Sequence, residues 1–157
     1  MARPTGSRSM RPIMTRLLRF HKEAHKYIGV KFRHRGRTDR GLDCVGLVIR
    51  AAMDCGYNKY EEEEFAYGRE PDSGVLLDVL ATHFGEPIDG PPEVNDVALI
   101  RLRSGLKPTH VGIITTHPDG LGIIHTHSRI HKVVYQRVSE EMKSLLAGVY
   151  RWGANNG

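Results

Sequence analysis

The chain has 157 residues, 39% apolar and 26% charged, with two cysteines and 17 glycines; this is the composition of one ordinary globular domain, not of a disordered tail or a fibre. A chain of this length buries about 70% of its unfolded surface, so neither a disulfide framework nor a metal is needed to hold its core. The net charge of +5 conceals an asymmetry, because residues 1–40 carry twelve Lys and Arg against Glu23 and Asp39, and the remainder has 11 basic and 16 acidic residues.

The basic character is therefore local, and it suits a polyanion, a membrane surface or an acidic docking partner. No RNA-binding aromatic signature or finger spacing accompanies it, which argues against specific nucleic-acid reading. Two cysteines match a thiol protein made inside the cell. No apolar run approaches the roughly 20 residues of a membrane span, and the start lacks the apolar segment of a secretion signal. The expectation is a soluble protein whose export needs another route.

Residues 1–15 combine Arg, Pro, Gly and Ser without apolar periodicity and read as a basic extended arm, with the domain proper over 16–157. From Thr15 as a cap, Leu17, Leu18, Phe20, Ala24, Tyr27 and Ile28 recur near helical spacing, which predicts a helix over about 16–28 ended by Gly29. Arg33 to Gly41 is a polar loop. Val45, Leu47, Val48, Ala51, Ala52 and Cys55 then form the stripe of a second helix, stopped by Gly56. Glu61 to Glu64 reads as a solvated acidic run, and Ser73 to Phe84 as a third helix.

Beyond Gly90-Pro91-Pro92 the period changes. Apolar, β-branched runs at Val97–Leu102, Val111–Thr115, Leu121–Thr126, Val133–Val138 and Gly148–Trp152 predict strands, with Pro118-Asp119-Gly120 as a hairpin turn. Helices first and an antiparallel meander after them give an α+β domain, with the amino-terminal helices packed on one sheet face.

Cys44 is the most informative position, since it opens the second helix directly after Asp43 and a glycine-bearing loop. The positive end of a helix favours thiolate, and its free N–H groups can receive an oxyanion. Cys55, at the far end of the same helix, fits a small buried hydrophobe. A thiol nucleophile needs a base, and the base needs an orienting group. His110 opens one predicted strand and His125 lies in the next, so antiparallel pairing brings the two imidazoles alongside each other as a Cys-His-His relay.

On these residues the sequence resembles the NlpC/P60 cysteine peptidases. Leu42-Asp43-Cys44-Val45-Gly46-Leu47-Val48 is similar to the family's nucleophile motif, His110-Val111-Gly112-Ile113 to its histidine motif, and Ile123-Ile124-His125 to the strand that carries the third, polar triad member. Asn95-Asp96-Val97-Ala98-Leu99-Ile100 resembles the preceding turn and strand, where a Gly-Asp pair is common. The resemblance runs over about residues 16–152. It implies a compact papain-like fold, cleavage of murein stem peptides by Cys44, His110 and His125, and contact of Asp43 with a free substrate amine. It implies no cofactor and no metal.

The segment Gly29 to Arg37 and the terminal Gly148-Val149-Tyr150-Arg151-Trp152 resemble the phage-type branch, the tail-associated peptidases of phages and gene transfer agents. That placement implies a protein carried on a tail tip, acting in the periplasm or cell wall, with the arm docked on tail-tip or hub proteins. Arg3, Arg8, Arg11 and Arg16 would meet acidic partner surfaces or anionic wall polymers. Two positions depart from the pattern: Val45 stands where Ser is frequent, and Phe32 where many members have a Tyr hydroxyl.

Other readings stay open beside this one. His117, His125, His127 and His131 cluster as zinc ligands do, although no H-E-x-x-H helix or paired Cys motif accompanies them. His127 shares a strand face with His125 and is an alternative third member. His21, His25, His34 and His83 read as surface or packing residues. A structural tail-tip adaptor that keeps the fold, or amidase or acyl-transfer chemistry through the same thioester, are the alternative functions.

Overall fold

The computed structural model describes residues 17–57, 73–127 and 129–152. The expected arm over 1–15, with Arg16, the Thr15 cap and the acidic run Glu61 to Glu64 lie outside them.

Eleven elements follow in chain order: α1 (Phe20–His25), β1 (Arg37–Thr38), β2 (Gly41–Leu42), α2 (Cys44–Asp54), α3 (Ser73–Phe84), β3 (Val97–Ile100), β4 (His110–His117), β5 (Gly120–His127), β6 (Lys132–Arg137), α4 (Glu140–Ser144) and β7 (Leu146–Tyr150). Strands β3 to β7 form one antiparallel sheet in the order β6-β5-β4-β3-β7. The α+β expectation, helices before an antiparallel sheet, describes this architecture.

Alternation along the strands divides the core in two. Val97, Leu99, Val111, Ile113, Ile124 and Val133 pack with Phe20, Ala24, Leu47, Val48, Leu80 and Phe84 from the three long helical segments. On the other face Ala98, Ile100, Ile114, Ile123 and Val138 lie under Met142, Leu145 and Leu146, the segment around α4. Helix α2 is buried at every position from Cys44 to Ile49 and again at Ala51 and Ala52, which makes it the central helix of the domain.

The first helix is shorter than its apolar stripe. Lys26, Tyr27 and Ile28 donate to the carbonyls of Glu23, Ala24 and His25, so the chain tightens into three-residue turns while Tyr27 stays buried. The first predicted strand-forming run, Val97–Leu102, ends as a strand at Ile100, next to a register shift against β7. Two elements have no counterpart in the apolar pattern: the β1–β2 hairpin inside the polar loop, and α4, capped by Ser139 through its Oγ to Met142 N. Asn95, where the family resemblance expects Gly, has φ +80°, the left-handed backbone that Gly ordinarily supplies.

Helix α1 is tied to the far end of β4 by a polar clamp. His21 Nδ1 and His25 Nε2 both lie 2.8 Å from Thr115 Oγ1, and His21 N donates to Asn95 Oδ1. Burial holds both imidazoles below their ordinary pKa, and at His21 the neighbouring His25 and Lys22 add to the effect. Each ring therefore binds a proton less readily folded than unfolded, so stability is full above about pH 6.5 and falls as pH drops below it. Thermal unfolding followed by circular dichroism should show a lower Tm at pH 5 than at pH 7.5, to which His110 and His125 contribute with the same sign, and Thr115→Val with His21→Gln should shrink that difference by about 2–4 °C. A pH difference in Tm that is the same in wild type and in the variant contradicts the clamp.

Candidate active site

The site begins with the loop that delivers Cys44. Phe32 N donates to His131 O and Arg33 N to Leu42 O, which lashes the segment before β1 to the sheet and to the residue before Asp43. Asp43, only 2% exposed, caps α2: its Oδ1 accepts from Gly46 N at 2.7 Å and from Arg37 Nη1 at 3.1 Å, and its Oδ2 accepts from Arg35 N at 2.9 Å. The backbones cross so closely that a Cβ on Gly46 would stand 1.9 Å from Gly36 O, and one on Gly36 would stand 2.2 Å from Gly41 O. This constraint explains the glycines of the polar loop, which the apolar pattern could not.

Cys44 is thereby fixed at the first position of α2, near the Val111 N–H of β4, which favours the charged form of its thiol. Cys44, His110, His125, His127 and Asp43 line one cavity of about 300 Å³, together with Phe32, Ile100, Arg101, Gln136, Met142 and others. Ser139, Glu141, Met142 and Leu145, around α4, form another part of its wall.

The two predicted imidazoles meet, with His110 Nε2 at 2.8 Å from His125 Nδ1. A fourth residue completes the chain: His125 Nε2 lies 2.9 Å from Gln136 Oε1. An amide oxygen only accepts, so His125 Nε2 carries a hydrogen and, in the neutral ring, its Nδ1 is a lone pair. That lone pair accepts from His110 Nε2–H. His110 Nδ1 is then unprotonated and free to act as a base. One oxygen on β6 thus sets the tautomer of two rings.

Gln136 is the residue that sequence reading missed. It belongs to no motif; its only signal is its place in β6, paired with Ile123 and on the same face as Val134, the partner of His125. His127 lies elsewhere in the wall. Its Nδ1 accepts from Arg129 N and Ile130 N, so its Nε2 bears the hydrogen and it makes no bond to His110. His117 sits beside Tyr135 near the β4–β5 turn, and among the described residues no three His, Cys, Asp or Glu side chains gather as a metal cage.

One expectation is reversed. The helix start was expected to lower the Cys44 pKa; instead burial, with the Asp43 charge behind it, pushes the thiol up to about 12, against the pull of the Val111, Val45 and Cys44 N–H groups. Burial, then the neighbouring His125 and His127, push His110 down to about 3. The resting pair is a thiol and a neutral imidazole, because removal from water outweighs half a helix charge. Asp43, expected to meet a substrate amine, has both oxygens committed to the loop and the cap.

No protein-family model matches the chain, and no curated protein matches its sequence. Among solved structures, the P60 domain of an antigen from M. avium subspecies paratuberculosis is similar at 16% identity and a TM-score of 0.55, over 88% of this chain and 96% of that one. The peptidoglycan hydrolase RipB of Mycobacterium tuberculosis is similar at 17% identity and a TM-score of 0.56, over 96% and 72%. An NLP/P60-family protein from Staphylococcus aureus is similar at 18% and 0.55 over 88% of this chain, which spans 41% of its length.

If Gln136 sets the base, Gln136→Leu should lower kcat about 10- to 100-fold with KM little changed, while Gln136→Glu, which still accepts from His125, should keep most of the rate. Equal kcat in wild type and Gln136→Leu removes Gln136 from the site. The helices, the five-stranded antiparallel sheet and their order make this chain's fold that of the NlpC/P60 structures.

Proposed function

We propose that the protein is a cell-wall peptidase that cleaves murein stem peptides with Cys44 as nucleophile, His110 as base and His125 as its orienting partner. The observation that carries the reading is one cavity whose wall holds both a helix-start thiol and a His110–His125–Gln136 hydrogen-bond chain. In the working sequence His110 Nδ1 takes the thiol proton as sulfur attacks the peptide carbonyl. The N–H groups of Cys44 and Val45 receive the oxyanion. His110 then returns the proton to the leaving amine, and water hydrolyses the thioester.

Phe32 brings an apolar ring, not a hydroxyl, to the cavity wall, so this site draws its oxyanion donors from the helix start. The phage-type placement, a protein carried on a tail tip with residues 1–15 docked on tail proteins and acting at the cell wall, belongs to the same proposal and rests on the sequence resemblance. Among the described residues no helix is long and apolar enough to cross a membrane.

An amidase reading has one specific support: an N-acetylmuramoyl-L-alanine amidase from Bacteroides uniformis is similar in structure at 14% identity and a TM-score of 0.55. The thioester step is common to both, and the product separates them. Mass spectrometry of fragments released from purified sacculi and muropeptides should show cleaved stem peptides with wild type, none with Cys44→Ala or His110→Ala, and a residual rate with His125→Ala. Freed glycan and intact stem peptide would establish the amidase; release by Cys44→Ala would overturn both.

A further inference from the structure

Four arginines among the described residues are half-buried: Arg37, Arg50, Arg101 and Arg151. Three of them sit on carboxylates: Arg37 on Asp43, Arg50 on Asp54, and Arg151 on Asp96 and Glu93. Arg101 differs. It follows the last residue of β3 and lines the cavity with Cys44 and His110, and its guanidinium makes one hydrogen bond among the described residues, from Nη1 to Leu146 O at 3.3 Å. The carboxylates in the same wall belong to Asp43, which Arg37 already neutralises, and to Glu141, which forms no ion pair with Arg101.

A guanidinium drawn partly out of water with most of its N–H groups uncommitted is a fork built for an acid. Among the described residues Arg101 is the only Lys or Arg in the cavity wall, where Ile100, Leu102, Met142 and Leu145 are apolar. One fixed positive charge, in a wall that already carries the carboxylate of Glu141, matches a monoanionic carboxylate better than a dianionic phosphate. We propose that Arg101 is a carboxylate subsite, which binds a free carboxylate of the substrate peptide near the bond that Cys44 attacks. The proposal rests on the peptidase reading for its substrate, but not for its site.

The test compares stem peptides with their carboxylates free against the same peptides converted to carboxamides, with wild type, Arg101→Gln and Arg101→Lys. Wild type should favour the free acids about 10- to 100-fold in kcat/KM, mainly through KM. Arg101→Gln should lose that preference, its acid-to-carboxamide ratio of kcat/KM falling to about 1, and Arg101→Lys should keep part of it. Equal cleavage of acid and carboxamide by wild type, or an undiminished preference in Arg101→Gln, overturns the subsite.

If wild type cleaves neither set, the peptidase reading fails, and a second measurement still decides the subsite. Cys44 is alkylated with iodoacetate and with iodoacetamide, and modification is read at Cys44 by peptide mass spectrometry. Arg101 should raise the iodoacetate-to-iodoacetamide rate ratio at least about 5-fold in wild type over Arg101→Gln, the effect of one carboxylate-guanidinium contact in a partly dry wall. An identical ratio in the two proteins overturns the proposal.

Discussion

Burial of Cys44, with partial burial of His110, is the constraint on which the rest of the site depends. Each ion of a thiolate–imidazolium pair would lose several kcal/mol of hydration in a low-dielectric setting, to be repaid only by well-placed partners. The two groups accordingly shift in opposite directions, the thiol up and the imidazole down, and both rest neutral. A neutral pair has no charge to hold it in register, so hydrogen bonds must. That is the work of His125 and Gln136, which leave His110 with a single available nitrogen. Charge then develops only as the carbonyl is attacked, when the helix-start N–H groups are in place to meet it.

The same economy governs the loop ahead of the nucleophile. A buried carboxylate is costly unless its oxygens are filled, and those of Asp43 are filled by a helix cap, a backbone N–H and Arg37. Removing any of these frees the loop that carries Cys44. Gly36, Gly41 and Gly46 follow as steric necessities, because at each an added Cβ would fall within 2.4 Å of a neighbouring atom. Chemistry at one thiol thus fixes residue types over about ten preceding positions.

Much of this was readable from residues alone, for stated reasons. The stripe of α2 and the β-branched runs carry strong periods; Asp43, Cys44 and His110 fall at element ends that those periods define, and His125 lies within the paired strand β5. What could not be read were features set by tertiary contact. The β1–β2 hairpin has no apolar alternation, since two residues per strand leave no pattern to see. Gln136 is exposed and looks like any polar strand residue until register sets it opposite Ile123. The Cys44 pKa direction depended on burial, a property of the packed domain, whereas the sequence displayed only the helix start. Arg101 follows a strand whose end is set by a bulge, not by composition.

The central claim is that Gln136, through His125, holds His110 with its hydrogen on Nε2 and a lone pair on Nδ1. Nitrogen-15 NMR of the imidazole rings at pH 7 reads this directly, with His110→Gln and His125→Gln used for assignment. The account requires both rings neutral, with His110 protonated at Nε2 and His125 protonated at Nε2. A His110 imidazolium signal at neutral pH, or His110 protonated at Nδ1, would contradict it.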